Sequence, residues 1–312
     1  MLRTITIMYF QVLEKRIVSY SIQTFTYFCT PITMKKQLTQ TIQKLYGVFL
    51  NAYAFISPNK AAKKAFHIFS KVRKGRVLPH QKDYLDSAKD RQLDISDHTI
   101  QTYRWKGSKE TVVLIHGWES NAWRWHKLIE KLQAKDFNII AFDAPAHGYS
   151  SGTHMYVHLY AQTLQTVIAT YSPKHIVGHS VGGMTALYNE YLNPEPNIKK
   201  IVTVGSPSEY HEIFTHYKEL LGFNNRVARA LAEYFTKRFG FTQKEFSSSK
   251  FVQTNTKTGL LFHDRFDLIT PYHASEQVHA AWKGSQLITT EGLGHSMHQD
   301  EVNEQIVSFL AS

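Results

Sequence analysis

Residues 175–187 read His-Ile-Val-Gly-His-Ser-Val-Gly-Gly-Met-Thr-Ala-Leu, and this stretch decides the fold. Its first part is a short apolar run typical of a buried strand, and its second part has the composition of a helix. Between them, the pattern G-x-S-x-G at residues 178–182 predicts a tight strand-to-helix turn that raises the Ser180 hydroxyl above the sheet edge. Glycine is needed on both sides because a side chain would crowd so sharp a reversal. The pattern is short, so its weight depends on what accompanies it.

A second buried-strand candidate lies upstream at residues 111–115, Thr-Val-Val-Leu-Ile, and it leads directly into His116, Gly117 and Trp118. An oxyanion hole needs two backbone N–H groups aimed at one point. In this arrangement one N–H comes from the residue after the serine, and the other comes from the loop after the earlier strand. We therefore predict an oxyanion hole formed by the N–H groups of Trp118 and Val181.

Two further strand candidates lie downstream, at residues 259–263 and 285–289, and polar residues follow each of them. A serine hydroxyl is a poor nucleophile unless an imidazole takes its proton, and the imidazole needs a carboxylate to fix its tautomer. We predict that Ser180, Asp267 and His295 form this catalytic triad. An Asp267 carboxylate oxygen should then lie roughly 2.6–3.2 Å from His295 Nδ1.

At this point the chain resembles the α/β-hydrolase superfamily over roughly residues 93 to 312. The resemblance is carried by residues 114–118 (Leu-Ile-His-Gly-Trp), residues 142–150 (Phe-Asp-Ala-Pro-Ala-His-Gly-Tyr-Ser), residues 178–183, Asp267 four residues before Pro271, and the pair Gly294-His295. It implies an α/β fold with a doubly wound, mostly parallel sheet. Members with an aspartate nucleophile, such as dehalogenases and epoxide hydrolases, are disfavoured because this turn carries serine.

The identity of the acid is the least constrained part of the triad. The spacing of Asp267 to Pro271 favours Asp267, while Asp264 is the nearest alternative and Glu209 is a more remote one. Asp143 is expected to be structural and to hold the loop that carries His147. His116 and His179 are expected to be hydrogen-bonded supports around the site.

The remaining pattern alternates strands and helices, which predicts a parallel sheet with helices on both faces. Strand candidates are residues 98–105, 111–115, 137–142, 175–177, 198–204, 259–263 and 285–289. No strand is predicted between Gly205 and Thr258. Amphipathic stretches at 209–221 and 225–239, and a shorter one at 243–246, fill this interval. The resemblance implies a small helical cap here, at about 206–257, with Phe214, Tyr217, Leu221, Phe223, Tyr234 and Phe235 as candidate pocket liners.

The chain has a formal net charge of +11, and this charge is unevenly distributed. Residues 1–82 hold 14 Lys or Arg and one acidic residue, whereas residues 83–312 hold 22 against 24. The basic character therefore belongs to an N-terminal extension. Its first part, residues 1–33, has mixed composition without signal-peptide features, and we expect it to be poorly ordered or to precede a true start at Met34. Residues 34–92 form a basic helical extension, and residues 93–312 form the hydrolase domain.

Residues 35–74 are predicted to form a helical hairpin, with Ser57 as the N-cap and Pro58 as the first residue of the second helix. Apolar residues at helical spacing are Leu38, Ile42, Leu45, Tyr46, Phe49, Leu50 and Tyr53. Two interpretations stay open. The hairpin packs on the hydrolase body with solvated lysines, or it lies as a basic amphipathic element on anionic membrane. No nucleic-acid reader motif accompanies the charge, so nucleic acid is not expected as a partner.

The predicted function is a serine hydrolase that cleaves a carboxylic ester or thioester of a small-molecule acyl substrate. A serine-dependent C–C bond hydrolase and a non-catalytic, membrane-associated binding protein on the same scaffold are the alternatives. No cofactor and no metal are expected. His154 and His158 lie four apart on a predicted helix and could bind a metal, but no third ligand is apparent and a solvated helix face is the favoured interpretation. The single cysteine, Cys29, excludes an intrachain disulfide, and we expect a cytoplasmic protein, peripheral at most to the inner face of the membrane.

Overall fold

The structure, a computed structural model, describes residues 32–312. The expectation for residues 1–33 therefore lies outside the described residues, apart from Ile32 and Thr33, which begin the first helix. The helices are α1 (Ile32–Ile56), α2 (Pro58–Ser70), α3 (Pro79–Ser87), α4 (His126–Gln133), α5 (Val157–Tyr171), α6 (Val181–Leu192), α7 (Tyr210–Leu221), α8 (Asn225–Phe239), α9 (Ser248–Phe251), α10 (His273–Ala281) and α11 (Asp300–Ala311). The strands are β1 (Lys89–Ile95), β2 (His98–Trp105), β3 (Thr111–Ile115), β4 (Asn138–Phe142), β5 (His175–His179), β6 (Lys200–Val204), β7 (Thr258–Asp264) and β8 (Ser285–Thr290).

The described residues form one eight-stranded sheet in the order β1-β2-β4-β3-β5-β6-β7-β8. The six strands from β4 to β8 in this order are parallel. Strand β2 pairs antiparallel with β4 at one edge, and β1 pairs antiparallel with β2. After Thr111, strand β3 is apolar at every position because it is buried on both faces. Val112 and Leu114 pack into one core with α4 and α11, while Val113 and Ile115 pack into the other with α5 and α6. The predicted doubly wound, mostly parallel α/β fold is confirmed.

Two elements near the N-terminal edge of the sheet were not predicted, α3 and β1. Strand β1 has mostly exposed, polar residues because it pairs on one side alone, so it lacks the apolar pattern of an inner strand. The expected domain boundary at residues 92–93 falls inside this strand. Leu85 and Ala88, just before it, pack into the core shared with α4 and α11. The chain thus joins the core of the sheet before the expected boundary.

The segment between β6 and β7 contains helices and no strand, and we call residues 206–257 the helical insertion. Helices α7 and α8 lie within one residue of their expected positions. The short helix expected at 243–246 is wrong, because the short helix here is α9, at Ser248–Phe251. Ser247 supplies the cap that starts α9 there, since its side chain accepts a hydrogen bond from the Lys250 N–H.

Helices α1 and α2 form a hairpin that packs on the helical insertion. Ser57 caps α2 by accepting from the Lys60 N–H, and Pro58 follows at the first helical position. Buried apolar residues from α1, α2, α7 and α8 share one core, which includes Leu50, Ala54, Ala65, Phe66, Tyr217, Leu221, Val227 and Leu231. The approach of α1 to α7 requires Gly47, because a Cβ there would lie 1.8 Å from Leu221 O. None of the helices in the described part of the chain combines the length and hydropathy that a bilayer crossing requires.

Candidate active site

Ser180 occupies a strained turn between β5 and α6. Its backbone has φ 53° and ψ −126°, a conformation that non-glycine residues rarely adopt. Its N–H donates to Val204 O at 2.8 Å, which ties the turn to β6. A Cβ at Gly178 would lie 2.7 Å from the backbone of Gly182, so the turn can be this tight only with glycine. The side chain of Ser180 therefore stands at the carboxyl edge of the sheet, as the sequence pattern predicts.

A chain of hydrogen bonds joins Ser180 to His295 and Asp267. The Ser180 hydroxyl lies 3.0 Å from His295 Nε2, to which it can donate, and His295 Nδ1–H donates to Asp267 Oδ2 at 2.7 Å. The second distance lies within the expected range. Asp267 Oδ1 also accepts from the N–H groups of Ile269 and Thr270. Burial tends to raise the pKa of Asp267, but the hydrogen bonds from His295 and the backbone outweigh it, so this pKa is lowered and the carboxylate stays ionised at neutral pH.

Asp264, the nearest alternative acid, has different partners. Its carboxylate accepts from the Leu293 N–H at 2.8 Å and the Thr290 hydroxyl at 2.9 Å. Thr290 ends β8, and Leu293 lies in the loop that leads from β8 to His295. Asp264 thus braces that loop, and Asp267 is the carboxylate that contacts the imidazole.

The two other acidic candidates are also engaged elsewhere. Glu209 accepts from the hydroxyls of Ser208, Ser247 and Ser249, and so joins the two stems of the helical insertion. Asp143 is fully buried and accepts from Tyr103 and from backbone N–H groups. Burial raises the pKa of Asp143, and these hydrogen bonds offset only part of the increase.

The two expected oxyanion donors, Val181 and Trp118, belong to different segments beside Ser180. Val181 is the first residue of α6, where N–H groups have no partner within the helix and the helix dipole favours negative charge. Gly117 lies against the turn, since a Cβ there would be 3.1 Å from Ser180 Cβ. Trp118 follows Gly117 directly, so its backbone belongs to the same loop beside the serine. This arrangement fits an oxyanion hole, with one donor from each side of the turn.

Two buried histidines hold the loop around Gly117. His116 Nε2 accepts from the Ala144 N–H, and its Nδ1–H donates to Gly117 O at 2.7 Å. His147 Nε2 accepts from the Glu119 N–H at 3.0 Å. Burial lowers the pKa of His116 to about 4 and that of His147 to about 3, so both rings are neutral at physiological pH and each can accept one of these hydrogen bonds.

His179, which was expected to support the site, has a hydrogen-bond partner there. Arg124 also contacts the site but was not predicted from the sequence. His179 Nε2–H donates to the carbonyl of His295 at 3.0 Å. The Arg124 guanidinium donates to the carbonyl of Ser296, the residue after His295, and stacks over Trp125. No sequence signal identifies Arg124, because its contact joins residues 172 apart in the chain.

The expectation that His154 and His158 share a helix is wrong. Helix α5 begins at Val157, and His154 precedes it. His158 is not on a solvated face, because its ring stacks on Phe239 at 3.9 Å and burial lowers its pKa to about 4. Within residues 32–312, no group of three or more His, Cys, Asp or Glu side chains is placed to bind a metal ion.

The aromatic residues of the helical insertion form a dense cluster with α2. A narrow, wholly apolar crevice lies there, lined by Phe66, Phe69, Tyr210, Phe214, Tyr217, Leu231 and Phe235. Of the residues expected to line a pocket, Leu221, Phe223 and Tyr234 do not line this crevice and instead pack in or against the core that joins the insertion to the hairpin. Val181 packs against the neighbouring cluster, which includes Tyr210 and Phe235. The crevice and Val181 thus border the same aromatic cluster.

Two family models match consecutive parts of the chain. One, described as the alpha/beta hydrolase fold, matches residues 110–240, and one described as a TAP-like protein matches residues 239–312. The chain is 28% identical over 146 residues to a pimeloyl-[acyl-carrier protein] methyl ester esterase of Vibrio vulnificus, which covers 45% of this chain and 52% of that protein. The match thus spans about half the length of this curated relative.

Solved structures with this fold include several hydrolases. An esterase structure from Butyrivibrio proteoclasticus with bound ferulic acid aligns with a TM-score of 0.59 and 18% identity, over 71% of this chain and 98% of that one. A meta-cleavage product hydrolase from Pseudomonas fluorescens aligns with a TM-score of 0.54 and 18% identity, over 72% and 98%. At such low identity these similarities establish the fold alone.

Proposed function

Since this chain belongs to the α/β-hydrolase superfamily, we propose that it hydrolyses a carboxylic ester or thioester through an acyl-enzyme on Ser180. The observation that carries the proposal is the hydrogen-bond chain from Asp267 through His295 to the Ser180 hydroxyl. The fold alone supports many reactions, so the proposal depends on these three side chains.

In the first half of the reaction, Ser180 Oγ attacks the carbonyl carbon of the substrate while His295 Nε2 takes the hydroxyl proton. Asp267 holds the imidazole in the tautomer with its proton on Nδ1 and stabilises the imidazolium that forms. The N–H groups of Trp118 and Val181 bind the oxyanion of the tetrahedral intermediate. His295 then returns the proton to the leaving alcohol or thiol, and the acyl group remains on Ser180.

In the second half of the reaction, water takes the place of Ser180 as the nucleophile and the same steps recur. His295 takes a proton from water as the hydroxide attacks the acyl carbon, and the second tetrahedral intermediate uses the same oxyanion donors. Collapse of this intermediate releases the carboxylic acid and returns the proton from His295 to Ser180. The helical insertion acts as the cap of this site, where it excludes water and contacts the acyl group.

The test is a substrate panel combined with active-site labelling. The panel contains p-nitrophenyl esters of increasing chain length, a methyl ester and a thioester of one acyl group, and a vinylogous diketone of the ring-cleavage type. We expect hydrolysis of the esters and labelling of Ser180 by a fluorophosphonate, located by mass spectrometry. Cleavage of the diketone alone would favour the C–C bond hydrolase, and an inactive protein that the fluorophosphonate does not label would reject the proposed hydrolase.

We also propose that α1 contacts an anionic membrane surface peripherally. Large apolar side chains at helical spacing are exposed along α1: Leu38, Leu45, Val48, Phe55 and Ile56. The exposed Arg226 lies over the Phe55 ring, and the following helix α2 carries the exposed cations Lys60 and Lys63. Each basic residue near an anionic surface contributes about 1 kcal/mol to such binding.

Vesicle sedimentation tests the membrane contact. At low salt, the protein should sediment with phosphatidylglycerol-containing vesicles and stay in solution with phosphatidylcholine alone. Leu45→Ala and Phe55→Ala should weaken sedimentation without changing ester hydrolysis, because both side chains are exposed. Absence of sedimentation with either vesicle, or a dimer that the same substitutions dissociate, would reject the membrane as the occupant of this stripe.

A further inference from the structure

We propose that residues 71–76, which join the N-terminal hairpin to the hydrolase body, position the backbone of Trp118 for oxyanion binding. We call these residues the brace, and we call residues 117–120 the oxyanion turn. The inference rests on the proposed function, because it assigns a role in the same reaction. The brace lies outside residues 110–312, the part of the chain that the family models match.

The brace is anchored at its start by backbone pairing. The Val72 N–H donates to Thr153 O at 3.0 Å, and the Met155 N–H donates to Ser70 O at 2.9 Å. Lys71 and His154 form an antiparallel bridge between these two hydrogen bonds. The chain that leaves α2 is therefore fixed to the segment before α5.

Beyond this anchor, the brace contacts the oxyanion turn directly. The Arg73 N–H donates to Glu119 Oε1 at 3.1 Å. Glu119 has a positive φ of 50°, and its own N–H donates to His147 Nε2. The strained residue next to Trp118 is thus held by a side-chain contact to the brace and a backbone contact to His147.

Gly75 is the point of closest approach. It has a φ of 92°, and a Cβ there would lie 2.8 Å from both His147 Cδ2 and Ser120 O, and 2.9 Å from the Glu119 carbonyl carbon. Its carbonyl accepts from the Gly148 N–H at 2.9 Å. Any side chain at this position would push against the oxyanion turn and against the histidine that supports it.

Arg76 fixes the far end of the brace. Its guanidinium donates to three backbone carbonyls in one loop, those of Gly148 at 3.2 Å, Ser150 at 2.5 Å and Gly152 at 3.0 Å. The same loop carries His147. Because three donors of one planar group converge on this loop, the brace, His147 and the oxyanion turn form one connected unit.

The consequence concerns the transition state more than the ground state. Oxyanion donors act only where their N–H groups point at the developing charge, and removal of one donor costs about 10²–10³ in kcat. Displacement of the oxyanion turn should therefore lower kcat and leave KM nearly unchanged. Contacts between distant parts of the chain position Trp118, Gly75 and Arg76. A small shift of the brace should therefore displace the Trp118 N–H relative to the reacting atoms.

The experiment compares Gly75→Ala with Gly240→Ala in the full chain. Both glycines have a positive φ, but a Cβ at Gly240 meets nothing within 4 Å. Gly240→Ala thus reproduces the backbone strain without the collision. We expect Gly75→Ala to lower kcat for p-nitrophenyl ester hydrolysis about tenfold or more, and to slow fluorophosphonate labelling in parallel, with KM within about threefold. Gly240→Ala should change each value by less than about twofold.

A second pair of variants covers the case in which Gly75→Ala does not fold. Glu119→Ala removes the acceptor of the Arg73 N–H and should lower kcat, whereas Glu119→Gln keeps an oxygen acceptor and should recover most of the loss. Equal kcat in wild type, Gly75→Ala and Glu119→Ala, or a loss confined to KM, would overturn the inference while leaving the proposed function intact. If the wild type itself neither hydrolyses esters nor accepts the label, the proposed function fails instead.

Discussion

The loops at the carboxyl edge of the sheet and the helical layer formed by α1, α2, α7 and α8 are held together by different interactions. In the loops, individual hydrogen bonds hold individual side chains in place. His295, for example, contacts Asp267 through Nδ1 and Ser180 through Nε2. In the helical layer, apolar side chains such as Phe66 and Tyr217 share one core, and ring contacts such as that between Phe69 and Tyr217 join its aromatic members. Loss of one atom should therefore abolish chemistry in the first region and lower stability by degrees in the second.

The dependence of the loops on single atoms is tested most strongly by Ser180→Ala. We expect a fall in kcat on the order of 10⁶, because the proposed mechanism loses its nucleophile and the other two members of the proposed triad act only through it. Thermal unfolding should change little, since one hydroxyl is removed. Ser296→Ala, which removes an exposed hydroxyl one residue from His295, is the matched control and should keep the wild-type rate. More than a tenth of wild-type activity in Ser180→Ala would reject the assignment.

The division of roles between the two carboxylates predicts the next largest effect. Asp267→Asn should lower kcat about 10⁴-fold, because the amide cannot hold His295 in the required tautomer. Asp264→Asn should cost less activity, since Asp264 braces the loop before His295 through the Leu293 N–H and the Thr290 hydroxyl. Steady-state kinetics of both variants distinguish these roles. A greater loss in Asp264→Asn would mean that the two assignments are reversed.

In the helical layer, the contrast between buried and exposed positions of α1 can be measured directly. Leu50 is fully buried against the insertion, whereas Leu45, on the same helix, is 58% exposed. Leu50→Ala should lower the free energy of unfolding by about 2–5 kcal/mol, and Leu45→Ala should change it by less than about 0.5 kcal/mol. Denaturant titration gives both values. Equal stability of the two variants would mean that the hairpin does not pack on the insertion.

The buried histidines of the loops predict an acid-sensitive stability. The pKa of His116 is about 4 in the folded protein and 6.5 in its ordinary state, so the unfolded chain binds the proton first as the pH falls. The contribution of His116 to the free energy of unfolding is complete above pH 6.5 and decreases as the pH falls from 6.5 to about 4. The total loss is at most about 3 kcal/mol. His116→Asn should flatten this part of the stability profile, while His216→Asn, at an exposed position, should not. A profile that is equally steep in both variants would contradict the assignment.

Local patterns in the sequence were sufficient for the inner strands and for the residues of the hydrogen-bond chain. Continuous apolar runs predict strands such as β3 because burial on both faces requires them. Glycines at tight turns and polar residues at strand ends then place Ser180, Asp267 and His295 along one edge. The same patterns predicted α2 from Ser57 and Pro58, since a cap and a first-turn proline are local signals.

Tertiary structure alone decided which surfaces and loops those elements meet. Three contacts join residues far apart in the chain. They are the packing of the hairpin on the helical insertion, the hydrogen bond of Asp264 with the Leu293 N–H, and the approach of Gly75 to the oxyanion turn. Strand β1 escaped prediction because an exposed edge strand needs no apolar pattern. A local sequence pattern reflects the solvent exposure of a residue and the conformation of its own backbone. The distant partners of that residue are determined by how the whole chain packs.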